Sequence, residues 1–424
     1  MNFMKIYPST LQGKINIPAS KSLCHRAIIA AGLANGRSVI DNVSFSDDII
    51  ASCNGMKALG ADILIEKASA TINGTKFLNS VESIIDCKES GSTLRFLIPI
   101  ALLTSNEITF TGKGRLGSRP LTPYYSIFNE QNIKYSSNTG LPLTIKGTLK
   151  PGEYKLPGNI SSQFITGLMF ALPLLEGDSK ITITTALESK GYIDLTLSLL
   201  KKYSINIENR NYSEFYIKGN QSYKACDYRV EGDFSQAAFW LVGGVLGGEV
   251  QCEDINIDSL QGDKVILDII KNMGGNIAIK KNKITAINSK TRGITIDASN
   301  CPDLVPILSV LAAVSSGTTR IINAQRLRIK ESDRLKAMTM ELSKLGADIA
   351  ETSDGLIIHG KHNLKGGIVN SWNDHRIAMA LAIASIKCTE PLILENFDVI
   401  KKSYPEFYKD FITLGGNVYE WSMG

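Results

Sequence analysis

Met56-Lys57-Ala58-Leu59-Gly60-Ala61-Asp62-Ile63 reads as the end of an amphipathic helix, a glycine break and the start of a β-branched strand. The phrase returns as Ile270 to Ile277, ending Met273-Gly274-Gly275-Asn276-Ile277. It returns again as Leu342 to Ile349, through Leu345-Gly346-Ala347-Asp348-Ile349, and as Phe411 to Val418. Fainter copies stand at Phe128 to Ile133 and Leu199 to Ile207. Together they mark the chain roughly every 70 residues, the signature of repeated supersecondary units. Each glycine reads as a helix C-cap, because glycine enters the left-handed conformation that ends a helix without a Cβ penalty. The strand that follows alternates, as at Ile277, Ile279 and Ile284, so it has one buried face. Such a helix-and-strand unit cannot bury its apolar face alone. Six of them are expected to gather as an α+β fold of two lobes, three units in each, with a cleft for a small-molecule site. An open solenoid is disfavoured, since no short strict consensus of the leucine-rich or ankyrin kind is present.

Composition narrows the function classes. A chain of 424 residues exceeds one ordinary core, which agrees with two lobes. Its 43% hydrophobic and 21% charged residues suit a soluble globular protein. A formal charge of +5 is small for this length, and no run concentrates it, so no nucleic-acid partner is expected. The cysteines, Cys24, Cys53, Cys87, Cys226, Cys252, Cys301 and Cys388, are odd in number and lack a Cys-x-x-Cys, so neither a disulfide framework nor a zinc knuckle is indicated. There is no signal-peptide apolar region, and stretches such as Phe96 to Leu103 are too short to span a bilayer. A cytoplasmic location is expected, with no membrane partner.

Small anionic ligands fit the remaining pattern. Pro18-Ala19-Ser20-Lys21-Ser22-Leu23-Cys24-His25-Arg26 puts a lysine, hydroxyls and an arginine into the first turns of a helix, where free N–H groups and the dipole attract anions. A serine N-cap with solvated cations is the ordinary reading of such a segment taken alone. The theme recurs in Ser90-Gly91-Ser92-Thr93-Leu94-Arg95, Asn159-Ile160-Ser161-Ser162-Gln163 and Ser189-Lys190-Gly191-Tyr192-Ile193-Asp194. Gly112-Lys113-Gly114-Arg115-Leu116-Gly117 formally matches a dinucleotide fingerprint. Pro120 and Pro123 interrupt its helix, however, and Ser136 and Ser137 stand where the ribose-binding acid belongs. Pro120 is instead expected at a first helical position, which puts Arg119 beside a helix N-terminus. Asp303, after Cys301-Pro302, is expected as a helix cap or a general base. Lys330-Glu331-Ser332-Asp333-Arg334 reads as a charged cluster inside a helix, its i,i+4 cations asking for an anion between them. Asn373-Asp374-His375-Arg376 opens another helix, and Lys401 and Lys402 add cations near Pro405. His359 and His362 have no third ligand nearby, so a metal site is not expected.

Read in order, these motifs resemble the 5-enolpyruvylshikimate-3-phosphate synthase family, together with Ser46-Asp47-Asp48, Glu231-Gly232-Asp233, Gln261-Gly262-Asp263 and Lys402 before Pro405. The resemblance implies two lobes of three βαβαββ units, with residues 1–19 and 232–424 in the C-terminal lobe, first strand included, and 20–231 in the N-terminal lobe. It implies a transferase that moves the enolpyruvyl group of phosphoenolpyruvate to the 5-hydroxyl of shikimate 3-phosphate, without metal or organic cofactor, as a monomer. The implied catalytic residues are Lys21, Asp303 and Glu331. Shikimate 3-phosphate would meet Lys21, Ser22, Arg26, Ser161, Ser162, Gln163, Ser189, Tyr192, Asp303 and Lys330. Phosphoenolpyruvate would meet Lys21, Gly91, Arg119, Gln163, Arg334, His375, Arg376 and Lys402. Glu89 and Ser92 depart from the Asn and Thr common in the family. The related transferase acting on UDP-N-acetylglucosamine typically shows Lys-Asn where Lys21-Ser22 stands here. RNA 3′-phosphate cyclase shares the repeat but brings a more basic surface and a histidine nucleophile. A non-catalytic repeat protein would have little reason to keep Lys21, Asp303, Glu331 and Arg334 together.

Overall fold

The computed structural model describes residues 2–75, 81–137 and 140–422. The chain divides into an N-terminal unit, Ala19–Val230, and a C-terminal unit made of Met1–Pro18 with Glu231–Gly424. Both crossings fall one residue earlier than expected. Ala19 packs in the N-terminal core. The Glu231 carboxylate accepts from Asn256 Nδ2 at 2.7 Å and Gln261 Nε2 at 2.9 Å in the C-terminal unit.

Among the described residues the strands form six four-stranded sheets, three in each unit. In one of them Glu153–Leu156 runs parallel to Ser179–Ile183, which pairs antiparallel with Glu214–Ile217, itself antiparallel to Ile207–Arg210. A parallel pair needs a crossover, and the helix Ser162–Ala171 supplies it. The helix Lys190–Lys202 leads on to the closing hairpin. The order is therefore βαβαββ, and two other sheets, one in each unit, repeat it in a continuous stretch. Three sheets take strands from distant sequence. Tyr228–Arg229 pairs with Gly36–Asp41, Gln12–Asn16 with Glu249–Glu253, and Asn2–Tyr7 lies between Leu392–Glu395 and Asn417–Ser422. The C-terminal unit thus takes in two leading strands, where one was expected.

The repeated break has a single backbone cause. Gly60, Gly274, Gly346 and Gly415 sit at φ of 102°, 93°, 83° and 100°, and the two faint copies place Asn132 and Ser204 at 57° and 64°. Ser204 is exposed, so its side chain has no packing to lose. A left-handed conformation costs an ordinary L-residue about 1–2 kcal/mol. Ser204→Gly is expected to stabilise the chain by about 0.5–1 kcal/mol, read as a higher urea midpoint; an unchanged or lower midpoint would contradict this.

Each unit has its own apolar core. Phe96 meets Phe170 at 5.7 Å between ring centroids in the N-terminal one. In the C-terminal core Trp240 stacks on Phe407 at 4.8 Å and donates to the Tyr404 hydroxyl at 3.2 Å. Burial of such side chains contributes about 1.5–3 kcal/mol each, which holds the helices while leaving their first turns to carry polar groups. No described helix is long and apolar enough to cross a membrane.

Candidate active site

In the N-terminal unit the helix Lys21–Leu33 starts without a side-chain cap bond from Ser20. Lys21 Nζ instead pairs with Asp48 Oδ2 at 2.8 Å. Arg26 is buried and fully oriented: Nε donates to Thr196 Oγ1 at 2.8 Å, Nη1 to the Ser22 carbonyl at 2.7 Å and Nη2 to the Tyr192 carbonyl at 3.2 Å. Burial brings its pKa down to about 10, so it stays charged at neutral pH. Ser161 caps the helix Ser162–Ala171 by accepting from Gln163 N. Ser189 sits in the left-handed region at φ 58° just before Lys190–Lys202. The Gln163 amide is held at both ends, donating to Ser92 Oγ at 2.9 Å and accepting from Arg95 Nη1 at 2.7 Å. The Arg95 guanidinium lies 4.9 Å over the Phe164 ring.

Gly91 begins the helix Gly91–Ala101, behind the Ser90 cap. A Cβ there would stand 2.7 Å from Arg119 Nη1, so a larger residue would push this guanidinium aside from its place across the turn. Arg119 follows the 3-10 turn Gly114–Ser118. Pro123, not Pro120, takes the early helical position, in Thr122–Gln131. Leu121 holds the N-cap position of that helix, which leaves Pro120 outside it.

In the C-terminal unit Arg334 is 1% exposed and meets three carboxylates. Its Nε and Nη2 reach Asp374 Oδ2 and Oδ1 at 2.8 and 3.3 Å, Nη1 reaches Asp303 Oδ1 at 2.7 Å and Nη2 reaches Glu331 Oε2 at 3.0 Å. Burial opposes its charge, yet Asp374, Glu331 and Asp303 hold its pKa well above the ordinary value. Asp303 also faces Arg376 Nη2 at 3.7 Å and Lys330 Nζ at 3.9 Å. Burial alone would raise its pKa; Lys330, Arg376 and Arg334 outweigh it and keep Asp303 well below the usual carboxylate range. Burial lowers Lys330 to about 8, against the pull of Asp303 and Glu331. Arg376 donates to the Ser235 carbonyl at 3.0 Å and to Ser235 Oγ at 2.8 Å. His375 is buried with Nδ1 3.9 Å from Asp374 Oδ1, and Lys402 Nζ donates to the Asn373 carbonyl at 2.8 Å.

Two expectations change here. Lys330 to Ser332 are not helical: Lys330 is extended at ψ −158°, because Asp333 caps the next helix by accepting from Lys336 N and the chain leaves helical geometry before it. Lys330 and Arg334 therefore converge through Asp303, not as i,i+4 neighbours. Asp303 caps no helix either; it lies in the 3-10 turn Pro302–Leu304, and its carboxylate is taken by cations. His359 Nδ1 is bonded to Thr318 Oγ1 at 2.9 Å.

The structure adds groups that local sequence did not assign. Asp48, Thr196, Ser235 and Arg95 orient the cations and the amide, and Asp374 anchors Arg334. Asp263 is buried, and its Oδ1 has no hydrogen-bond partner among the described residues. Burial, then Asp303, pushes it up to about 8. Its place in Gln261-Gly262-Asp263 was the available signal.

Each unit thus gathers cations and hydroxyls at helix N-termini, an arrangement for ligands with several anionic groups. The family model for EPSP synthase (3-phosphoshikimate 1-carboxyvinyltransferase) matches residues 6–411. The chain is 62% identical to the 3-phosphoshikimate 1-carboxyvinyltransferase of Clostridium novyi and 55% identical to that of Clostridioides difficile, with all of each chain covered. It overlays the EPSP synthase of Acinetobacter baumannii with a TM-score of 0.84 at 25% identity, covering 100% of both chains. An enolpyruvyl transferase from Streptomyces tendae, at 16% identity, shares the fold with a TM-score of 0.83 over 100% of this chain and 99% of that one. The chain belongs to the EPSP synthase family and has the enolpyruvyl transferase fold.

Proposed function

We propose that this chain transfers the enolpyruvyl group of phosphoenolpyruvate to the 5-hydroxyl of shikimate 3-phosphate and releases inorganic phosphate, a step of aromatic amino acid biosynthesis. The observation that carries the mechanism is Asp303, kept anionic among Lys330, Arg334 and Arg376. Both substrates bring a phosphate and a carboxylate, and buried anions need paired donors. Shikimate 3-phosphate takes Lys21, Ser22, Arg26, Ser161, Ser162, Gln163, Ser189, Tyr192, Asp303 and Lys330. Phosphoenolpyruvate takes Lys21, Gly91, Arg119, Gln163, Arg334, His375, Arg376 and Lys402. Arginine suits these roles because its planar fork binds carboxylate and phosphate bidentately.

Asp303 orients the 5-hydroxyl and accepts its proton as that oxygen bonds to C2 of phosphoenolpyruvate. C3 gains a proton, and C2 becomes tetrahedral. A proton then leaves the new methyl group, the C2=C3 bond re-forms and the C2–O bond to phosphate breaks. Glu331 and Lys21 carry the protons at carbon and at the leaving phosphate. Donors already fixed in place lower the cost of the charge that develops. The dispersed net charge of +5 supports a chain that works on small molecules without a nucleic-acid partner; it is read as a cytoplasmic monomer. The alternative acceptor, UDP-N-acetylglucosamine, is not favoured by the names its relatives carry.

The test is phosphate release from phosphoenolpyruvate, with and without shikimate 3-phosphate. Release that depends on shikimate 3-phosphate is expected. Folded protein that releases none, or responds only to UDP-N-acetylglucosamine, would overturn the assignment.

A further inference from the structure

His25 stands in the first helix of the N-terminal unit and has no part in the mechanism above. It is 1% exposed, its ring set edge-on to Phe96 at 6.4 Å. Nδ1 lies 2.7 Å from Ser52 Oγ, Ser52 Oγ 2.8 Å from Thr93 Oγ1, and Thr93 Oγ1 donates to Ser90 Oγ at 2.7 Å. Ser90 is the cap of the Gly91 turn and also accepts from Thr93 N at 3.1 Å. Ser52, Ser90 and Thr93 are all fully buried. Thr93 Oγ1 lies 3.4 Å from the carbonyl of Asp48, the residue whose carboxylate holds Lys21.

Proton counting gives this chain a direction. Thr93 has one hydroxyl proton and gives it to Ser90, so Ser52 must donate to Thr93. Ser52 then has no proton left for the ring, and His25 Nδ1 must donate to Ser52. The ring is therefore neutral with its proton on Nδ1. Burial, then the charges of Lys21 and Arg26, pushes its pKa well below the ordinary histidine value, in agreement with that form. Nε2 is left as a bare acceptor with no hydrogen-bond partner among the described residues. A protonated ring would bury a second N–H with nothing to receive it.

We propose that His25 is a positioning residue, which through Ser52, Thr93 and Ser90 fixes the Gly91 turn against the helix that carries Lys21 and Arg26. The proposal rests on the reading of Gly91 and Arg119 as phosphoenolpyruvate contacts. Three helices, Lys21–Leu33, Asp47–Ala58 and Gly91–Ala101, are tied by one directed chain of hydrogen bonds. Arg26 is held separately, by Thr196 and the Ser22 and Tyr192 carbonyls. Cutting the chain at His25 or Ser52 therefore loosens the Gly91 turn and leaves the Arg26 grip in place.

Ser52→Ala and His25→Leu should each raise KM for phosphoenolpyruvate about 5–10-fold, the worth of a buried hydrogen bond. KM for shikimate 3-phosphate should stay within about 2-fold. The double variant should be no worse than either single one, because both cut the same chain. His25→Asn, which keeps an N–H donor near the place of Nδ1, should recover most of the loss. Equal rises in both KM values, or a lower melting temperature with unchanged KM, would overturn the proposal. A second readout needs no turnover. The ¹⁵N shifts of His25 should report a neutral ring protonated on Nδ1 in the wild type, altered in Ser52→Ala. A ring protonated on Nε2 would overturn the hydrogen-bond direction, whatever reaction the chain catalyses. Absence of turnover in the wild type would instead count against the proposed function.

Discussion

Arg334→Ala is expected to destabilise the C-terminal unit by about 3–5 kcal/mol, the cost of leaving buried charges without their partner. Asp374, whose side chain is fully buried, would keep the Ser332 hydroxyl and the Arg376 N–H as its donors among the described residues. Asp303 and Glu331 would lose their nearest cation in the same change. Arg334→Lys should recover only part of this, since one ammonium cannot reach three carboxylates in the geometry of a guanidinium. Tryptophan fluorescence offers a selective readout. Trp240, Trp372 and Trp421 all lie in the C-terminal unit, so their urea transition follows that unit alone. A loss under about 1 kcal/mol would mean that these carboxylates are solvated enough to stand by themselves.

Asp303→Asn should lower kcat by about 10²–10⁴-fold, the usual worth of a positioned general base. The change keeps the size of the side chain and an oxygen to accept from Arg334. Stabilisation of the protein by shikimate 3-phosphate should therefore survive, and it separates lost chemistry from lost folding. Turnover within about 3-fold of wild type would remove Asp303 from the proton transfer. The pH profile carries a further check. The folded pKa of Asp303 is depressed, so its base form is present above the ordinary aspartate value and is lost only as pH falls well below it. Any fall in kcat/KM between about pH 7 and 5 must then come from another group, and the Asp303→Asn profile should keep that limb.

The repeat was legible because its signal is local. A residue at positive φ between helix and strand selects glycine or asparagine, and four of the six breaks are glycine. The strands that close sheets from a distance gave no such signal. Tyr228–Arg229 is two residues long, and Gln12–Asn16 buries only Ile15, so neither shows alternation. The candidate site divides in the same way. Lys21, Arg26 and Arg376 were visible as cations at helix starts, and Arg334 as one of the cations of a charged run. Their partners were not, because Asp48, Thr196, Asp374 and Ser235 lie 27, 170, 40 and 141 residues away along the chain. The charged run at Lys330 was read as helical from its composition. Asp333 decided otherwise, since a cap fixes where a helix begins more firmly than propensity does.

The strand Asn2–Tyr7, paired along its length with Asn417–Ser422, brings Asn2 opposite Ser422. In order of synthesis it comes before both of its partner strands, so at roughly 5–20 residues per second it waits tens of seconds on the ribosome while the N-terminal unit is completed. The adjacency also brings Asn2 and Ser422 within the reach of a short link. A chain opened between Pro18 and Ala19, with Ser422 linked back to Asn2, would run through one unit and then the other without returning, although Tyr228–Arg229 and Gln12–Asn16 would still reach their sheets from a distance.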